Sequence, residues 1–334
     1  AGLAITTGDY NTAVGAMALK TEDAASRATA IGTSAMFTQN GGAGTSMNNT
    51  AVGMLAGYYN ATAVNNTSIG AEAGYYTQGA SNTYVGFSAG KGAAGAEANN
   101  VGVGSNALLA VTTGAENVSI GKDSMYDANT AAGNVAVGTE SAYNITSGSE
   151  SIAIGKQSLY TATTVGANTA VGYQALKLNA VASNTAVGHS AGLNTTGTLN
   201  TYVGSSAGKG ASGAEANNVG VGANSLLAIT TATGNVALGS AAMTAILTGG
   251  ENVAVGLNAL ATDTDGENNV AIGGHALRYL TGSTRNVAIG LNAMRLMDDT
   301  ADGLADCIAI GHEAFKGSAT ATTTGANGTV AIGK

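Results

Sequence analysis

The sequence contains no proline and no tryptophan, and only 10% of its 334 residues are charged. An ordinary soluble domain carries about 25% charged residues. The low charge, together with a mean hydropathy of +0.15, excludes an expanded, disordered chain. A collagen triple helix is excluded because there is no proline and no strict Gly-X-Y period. The hydrophobic fraction of 44% is mostly alanine, which argues against a globular core built on leucine and phenylalanine.

Positive charge is also scarce. The chain has 12 lysines and arginines against 20 aspartates and glutamates, which gives a net charge of −8. A nucleic-acid-binding protein needs a basic footprint, so we expect no nucleic acid as a partner. No apolar run reaches the roughly 18 residues of a membrane helix, and the single cysteine cannot form an intrachain disulfide. The pattern described next is already under way at Ala1, so we expect a segment or processed product of a longer protein.

Glycine is abundant, with 51 residues, and it marks an internal repeat. The unit is Asn-(Thr/Val)-Ala-(Val/Ile)-Gly-x-x-Ala-(Leu/Met/Gly), and most repeat glycines are 16 to 18 residues apart. Residues 82–110 recur almost letter for letter at 200–228, which indicates growth by copying of repeats. The 19 repeat glycines are Gly15, Gly32, Gly53, Gly70, Gly86, Gly104, Gly121, Gly138, Gly155, Gly172, Gly188, Gly204, Gly222, Gly239, Gly256, Gly273, Gly290, Gly311 and Gly333.

The positions around each repeat glycine have a fixed chemistry. The residues one and three before it are β-branched or leucine, and they point to one face of a short strand. We expect this face to be the core side, with the alanine between them on the opposite face. The residue three after the glycine is always Ala or Ser, which indicates close packing. The asparagine four before it tolerates left-handed backbone and suits a turn at the strand entrance.

These features predict the fold. Segments between units are rich in Gly, Thr, Ser and Asn and are predicted to be turns, so each unit is predicted to hold about two short strands. One unit cannot bury its own apolar face, whereas stacked units form a continuous core. We therefore predict an all-β protein, a parallel β-solenoid or β-roll of about 19 coils with roughly 17 residues each. It forms one continuous array over residues 1–334.

The repeat resembles two known kinds of fibrous protein. The unit Asn-Thr-Ala-Val-Gly-Tyr-Gln-Ala-Leu at Asn168–Leu176 is similar to the repeats of phage tail fibres, and more distantly to the β-roll head repeats of trimeric autotransporter adhesins. The resemblance implies a left-handed coil, a homotrimeric fibre, and a role in stiffness and host-cell attachment rather than catalysis. The implied partners are copies of the chain, tail or baseplate proteins and a host surface glycan or protein. The implied location is the virion or the cell surface. An adhesin head and a glycan depolymerase with an inter-chain site are the alternatives.

Motifs typical of cofactor or metal sites have structural explanations in the repeat. The stretch Gly102–Ala107 fits a dinucleotide fingerprint, and Gly86–Gly92 approaches a phosphate loop, but both are the repeat itself, so we expect no cofactor. The histidines lie in freely variable positions, so we expect no metal site at His189, His275 and His312. A cluster of acids fits either a weak cation site or a solvated loop, at Asp298, Asp299, Asp302 and Asp306.

Tyrosine offers the best candidates for receptor contact. Five tyrosines sit five residues after a repeat glycine and should stack from coil to coil, either as a structural ladder or as a sugar-binding strip: Tyr58, Tyr75, Tyr126, Tyr143 and Tyr160. The three longest insertions, residues 37–48, 296–306 and 314–327, are further candidates. An ice-binding threonine face is disfavoured, because the threonine column is expected on the core side.

Overall fold

The computed structural model describes residues 1–2, 5–92, 95, 97–210, 213–296, 304–317 and 327–334. The chain forms two compact units, residues 1–168 and residues 169–334. No helix occurs among the described residues, and none of them forms a segment suited to crossing a membrane as a helix.

Each unit is a stack of coils, and each coil contributes one strand of three residues. The first unit holds β1 Thr12–Val14, β2 Thr29–Ile31, β3 Thr50–Val52, β4 Thr67–Ile69, β5 Thr83–Val85, β6 Val101–Val103, β7 Val118–Ile120, β8 Val135–Val137 and β9 Ile152–Ile154. The second unit holds β10 Thr169–Val171, β11 Thr185–Val187, β12 Thr201–Val203, β13 Val219–Val221, β14 Val236–Leu238, β15 Val253–Val255, β16 Val270–Ile272, β17 Val287–Ile289, β18 Ile308–Ile310 and β19 Val330–Ile332.

Within each unit every strand pairs in parallel with the next strand along the chain. The register aligns the repeat, so that Thr50 lies beside Thr67 in the first unit and Val253 beside Val270 in the second. The prediction of an all-β parallel solenoid with coils of about 17 residues is therefore confirmed.

The prediction of two strands per coil is wrong. Beyond the single strand, the described residues contain only isolated bridges, such as the one between Ala132 and Ser149. The cause is the backbone that follows each repeat glycine. It returns to left-handed conformations at the second and fourth positions, as at Leu55 with φ 60° and Gly57 with φ 56°, and such a backbone cannot continue an extended strand.

The repeat glycines permit the close stacking of coils. Gly53 has a φ of +137°, and a Cβ on it would lie 2.5 Å from the carbonyl oxygen of Gly70 in the next coil. Gly121 has a φ of +134°, and its Cβ would lie 2.5 Å from the oxygen of Gly138. A side chain at these positions would therefore force neighbouring coils apart.

The core lies on the alanine side of the strands, which corrects the expected orientation. Ala51 and Ala136, at the centres of β3 and β8, are fully buried, whereas Ile120 and Leu238, directly before a repeat glycine, are each 40% exposed. The interior is shallow because the turn segment packs straight back onto the strand, and the residue at the strand centre is Ala, Ser or Gly in every strand except β5 and β12, where it is Tyr. The core has two layers. The strand centres form one layer, and the small residue three after the glycine forms the other, together with the Leu or Met that follows it, as at Ala175 and Leu176.

The orientation also changes the reason why an ice-binding threonine face is disfavoured. The threonine column lies on the partly exposed face of the strand, and not on the core side. Threonine occupies that column only in β1–β5 and β10–β12, and valine or isoleucine replaces it in the other strands. The face is therefore not a uniform threonine surface.

The repeated asparagine has a different role from the one predicted. Asn117 is fully buried, and its Nδ2 donates to the carbonyl oxygen of Ala131 at 2.7 Å and to Oδ1 of Asn100 at 3.1 Å. Its own Oδ1 accepts from the backbone N–H of Asn134 at 3.1 Å. The left-handed residue is the one before it, Glu116, with φ 61°. The asparagines thus form an internal ladder between coils, instead of closing a turn of their own.

Candidate functional site

The residues five positions after the repeat glycines form one column on the turn segment that follows each strand, which we call the fifth-position column. Its aromatic members are Phe37, Tyr58, Tyr75, Tyr126, Tyr143 and Tyr160. Its cationic members are Lys20, Lys91, Lys177, Lys209, Arg278, Arg295 and Lys316, which are seven of the 12 lysines and arginines in the chain. The column contains no aspartate or glutamate. Positive charge is therefore concentrated at one position of the repeat in an acidic protein.

In the first unit the column begins with an aromatic stack that has a cation at each end. Phe37 and Tyr58 stack with ring centroids 4.9 Å apart and planes within 10°, and Tyr58 and Tyr75 stack at 5.2 Å and 8°. Lys20 Nζ lies 4.9 Å from the Phe37 centroid, and Lys91 Nζ lies 5.9 Å from that of Tyr75. Such contacts between a cation and an aromatic face are attractive.

A second stack lies further along the same unit. Tyr126 and Tyr143 have centroids 5.0 Å apart, and Tyr143 and Tyr160 have centroids 5.2 Å apart. All three rings are partly exposed. The pKa of Tyr143 is raised, first by burial and then by the neighbouring Tyr126 and Asp127.

The stacking limits how a sugar could bind. Tyr59 and Tyr76, one position beyond the column, stack on each other at 5.0 Å and meet Tyr58 and Tyr75 edge-on. The inner ring faces are thus covered by other rings, and burial is the first cause of the raised pKa of the Tyr75 hydroxyl. Edges and hydroxyls remain for a ligand, so the tyrosines act first as a structural ladder.

In the second unit the column becomes cationic. Arg278 Nη1 lies 3.1 Å from His275 Nδ1, and the Arg278 Cζ lies 4.7 Å from the centroid of Tyr279. Arg295, one coil on, has its Cζ 5.8 Å from the same ring. The pKa of His275 is lowered by burial and then by the two arginines, so the neutral imidazole accepts the hydrogen bond from Arg278. Sequence reasoning missed these arginines, although their signal was their position in the tyrosine column.

The structure gives no support to a metal centre at the histidines. His189 is exposed and stacks on Tyr173 at 5.1 Å, and His312 is exposed as well. The described residues contain no group of three His, Cys, Asp or Glu side chains that could hold a metal ion. Asp298, Asp299 and Asp302 lie outside the described residues. Asp306 forms an ion pair with Arg285 at 2.6 Å.

The two glycine-rich motifs surround a buried tyrosine. Tyr84 occupies the alanine position of β5 and is fully buried. A Cβ on Gly90 would lie 2.3 Å from its ring, and a Cβ on Gly102 would lie 3.0 Å away. Tyr202 has the same surroundings in the duplicated segment, with Gly208 at 2.3 Å. These glycines make room for an aromatic ring in a shallow core, and that is a structural reason for their presence.

Buried acids accompany these tyrosines. Glu97 and Glu215 are each 2% exposed, and one carboxylate oxygen of each has no hydrogen-bond partner among the described residues. Burial raises the pKa of Glu97 to about 8, and burial likewise raises that of Glu215. Asp263 is fully buried, and burial raises its pKa to about 6. Burial thus disfavours the ionised form of all three acids, which lie inside the coils.

The first long insertion is tied into the core. Gln39 is fully buried, and its Nε2 donates to Glu22 Oε2 at 3.1 Å. Its Oε1 accepts from Asn49 Nδ2 at 3.0 Å. Most of the other two insertions, residues 297–303 and 318–326, lies outside the described residues.

Comparison with known proteins gives no match: no model of a protein family, no curated protein and no solved structure matches this chain.

Proposed function

We propose that this chain is a structural segment of a phage or viral tail fibre, which assembles as a left-handed, homotrimeric shaft and supports attachment to a host cell. The single observation that supports it most is the exposed β-branched face, formed by the residues one and three before each repeat glycine. Ile69, Ile154 and Ile272 on this face are 38 to 40% exposed. No charged residue occurs in either column.

The size of this face supports self-association. Coils about 4.8 Å apart and strands about 10 Å long give an apolar strip of roughly 400 Å² in each unit. The largest apolar patch of a typical monomer is about 300–600 Å² and is often functional, so a strip of this size is a candidate interaction surface. Association would bury the strip of each unit against another copy, and a stable protein interface buries roughly 800 Å² per partner. A second copy of the chain offers the matching surface, because every copy carries the same columns.

The shallow core gives a further reason. Alanine and serine fill most interior positions, and burial stabilises by only about 25 cal/mol per Å² of apolar surface. Association around a threefold axis would increase the buried area without larger side chains. The proposed partners are two further copies of the chain, other tail or baseplate proteins, and a glycan or protein of the host surface. The proposed location is the virion.

Light scattering of the native protein tests the assembly. We expect about three times the chain mass of 32.2 kDa. The variant Ile120→Lys/Ile154→Lys places two charges on the β-branched face, two coils apart, and should yield monomers. Met54→Lys/Phe87→Lys is the matched control, since these residues are exposed, lie in the same unit and are also two coils apart. A stable monomer of the parent protein would refute the trimer.

The two variants also show whether the β-branched face is the interface, independently of whether the protein forms a trimer. If the parent is trimeric but only the Met54 and Phe87 variant dissociates, the β-branched face is not the interface. Attachment is then measured with the verified trimer on host cells. Failure of a correctly assembled trimer to bind or compete would refute the role in attachment.

A further inference from the structure

The cationic end of the fifth-position column carries an inference that deepens the proposed attachment function and rests on it. Arg278, Arg295 and Lys316 occupy this column in three successive coils. Backbone bonds hold them in register, since Tyr279 N donates to Arg295 O at 3.2 Å and Leu296 N donates to Lys316 O at 2.8 Å. The cations are thus repeated at about the 4.8 Å spacing of the coils.

The two arginines are not neutralised by described carboxylates. The ion pairs among the described residues join Lys91 to Glu72, Lys122 to Asp123, Arg285 to Asp306 and Lys316 to Glu313. Neither Arg278 nor Arg295 takes part in them. The Nε of Arg295 is also buried without a hydrogen-bond partner in the described part of the chain. Because this atom is enclosed by the protein, a ligand would meet the terminal nitrogens of the guanidinium and not Nε.

The guanidinium groups are held in place before any ligand arrives. Arg278 is bound to His275 and packs over the Tyr279 ring, and Arg295 approaches the same ring from the next coil. Arginine presents several donors in a planar fork that matches carboxylate, sulfate and phosphate groups. Contact with a tyrosine ring restricts its motion, so less entropy is lost on binding.

We propose that Arg278, Arg295 and Tyr279 form a binding site for the anionic groups of a linear acidic glycan. An extended glycan advances by about one coil spacing per sugar ring, so successive coils can meet successive sugars. The column lies on the turn segment and not on the β-branched face, so self-association through that face leaves it free. A nucleic acid is disfavoured, because it needs a larger basic footprint than these few cations on a chain of net charge −8.

The test measures glycan binding by the trimer, with its mass verified by light scattering. The probes are polygalacturonate, heparin and a glycerol-phosphate teichoic acid, with dextran as the neutral polymer and single-stranded DNA as the competing polyanion. We expect the parent to bind at least one acidic glycan, with affinity that falls as salt rises, and to ignore dextran. Arg278→Gln/Arg295→Gln should weaken that binding at least about tenfold, because each lost charge-assisted bond is worth that order of magnitude.

The control variant is Lys122→Gln/Arg285→Gln, which removes the same charge from exposed cations outside the column. It should bind as the parent does. Trimer mass and circular dichroism confirm that each variant is folded. The inference is wrong if none of the three acidic glycans binds, if DNA binds more tightly than all of them, or if the two variants weaken binding equally. Each of these results leaves the trimeric shaft standing, whereas a monomeric parent counts against the proposed function.

Discussion

Replacing the buried Glu97 with glutamine should make the protein more stable at neutral and alkaline pH. The side chain is 2% exposed, and its Oε2 has no hydrogen-bond partner among the described residues. Burial raises its pKa from 4.5 to about 8, although the backbone amides of Gln78 and Gly79 act in the opposite direction. Ionisation of this carboxyl therefore opposes the folded state.

The sign and size follow from the two pKa values. Below pH 4.5 both the folded and the unfolded chain hold the proton, and the group costs no stability. Between pH 4.5 and about 8 only the folded chain holds it, so the free energy of unfolding falls by about 1.4 kcal/mol per pH unit. The loss reaches about 5 kcal/mol per chain at pH 8. Glutamine removes this dependence because it never ionises.

Guanidinium unfolding at pH 5, 6, 7 and 8 measures the effect for the parent, Glu97→Gln and Glu116→Gln. Glu116 is an exposed acid one coil on, so its variant controls for the loss of one carboxylate. We expect Glu97→Gln to match the parent near pH 5 and to exceed it increasingly toward pH 8, while Glu116→Gln follows the parent. The double variant with Glu215→Gln should be less dependent on pH than either single one. A parent whose stability is constant or rises from pH 5 to pH 8 would show the reasoning to be wrong.

Four further substitutions test the assignment of columns by their effect on thermal unfolding. Ala175→Leu forces a bulky group into a fully buried position and should cost about 1–3 kcal/mol per chain. His189→Ala, at an exposed position, should change stability by less than about 0.5 kcal/mol. Equal shifts in melting temperature would mean that the buried column is misassigned. Gly121→Ala places a Cβ 2.5 Å from a backbone oxygen and should lower the melting temperature more than the histidine variant does. Asn117→Ala breaks the bonds to neighbouring coils and should cost about 1–3 kcal/mol, and an unchanged melting temperature would contradict the ladder.

The sequence predicted the stacking of the tyrosines but did not decide between a structural and a sugar-binding role. Its period places Tyr126, Tyr143 and Tyr160 one above another, and the structure has them stacked at 5.0 and 5.2 Å. The stacking itself covers the ring faces that a sugar would use. The same column also holds Arg278 and Arg295, which a search restricted to aromatic residues passes over.

The sequence by itself determined the architecture. Nineteen repeat glycines at nearly constant spacing require stacked coils, and identical columns stay in register because each position packs best against its own copy. The small residue at Ala175 and its equivalents indicated close packing for the same reason. Comparison of the repeats detects such constraints, because the same constraint acts on the same position of every repeat.

Only the tertiary structure decided which face of the strand is inside. Both faces of a Thr-Ala-Val strand are apolar, and hydrophobicity favours the larger side chains as the core. The coil is too shallow for them, because the turn after Gly53 or Gly121 packs directly against the strand, and the residue at the strand centre there is small, Ala51 or Ser119. The same depth explains why Tyr84 needs glycines around it and why the buried carboxyl of Glu97 holds its proton. The depth of the coil interior is set by the distance between the strand and the turn segment of one coil. Residue preferences at a single position of the repeat do not indicate that distance.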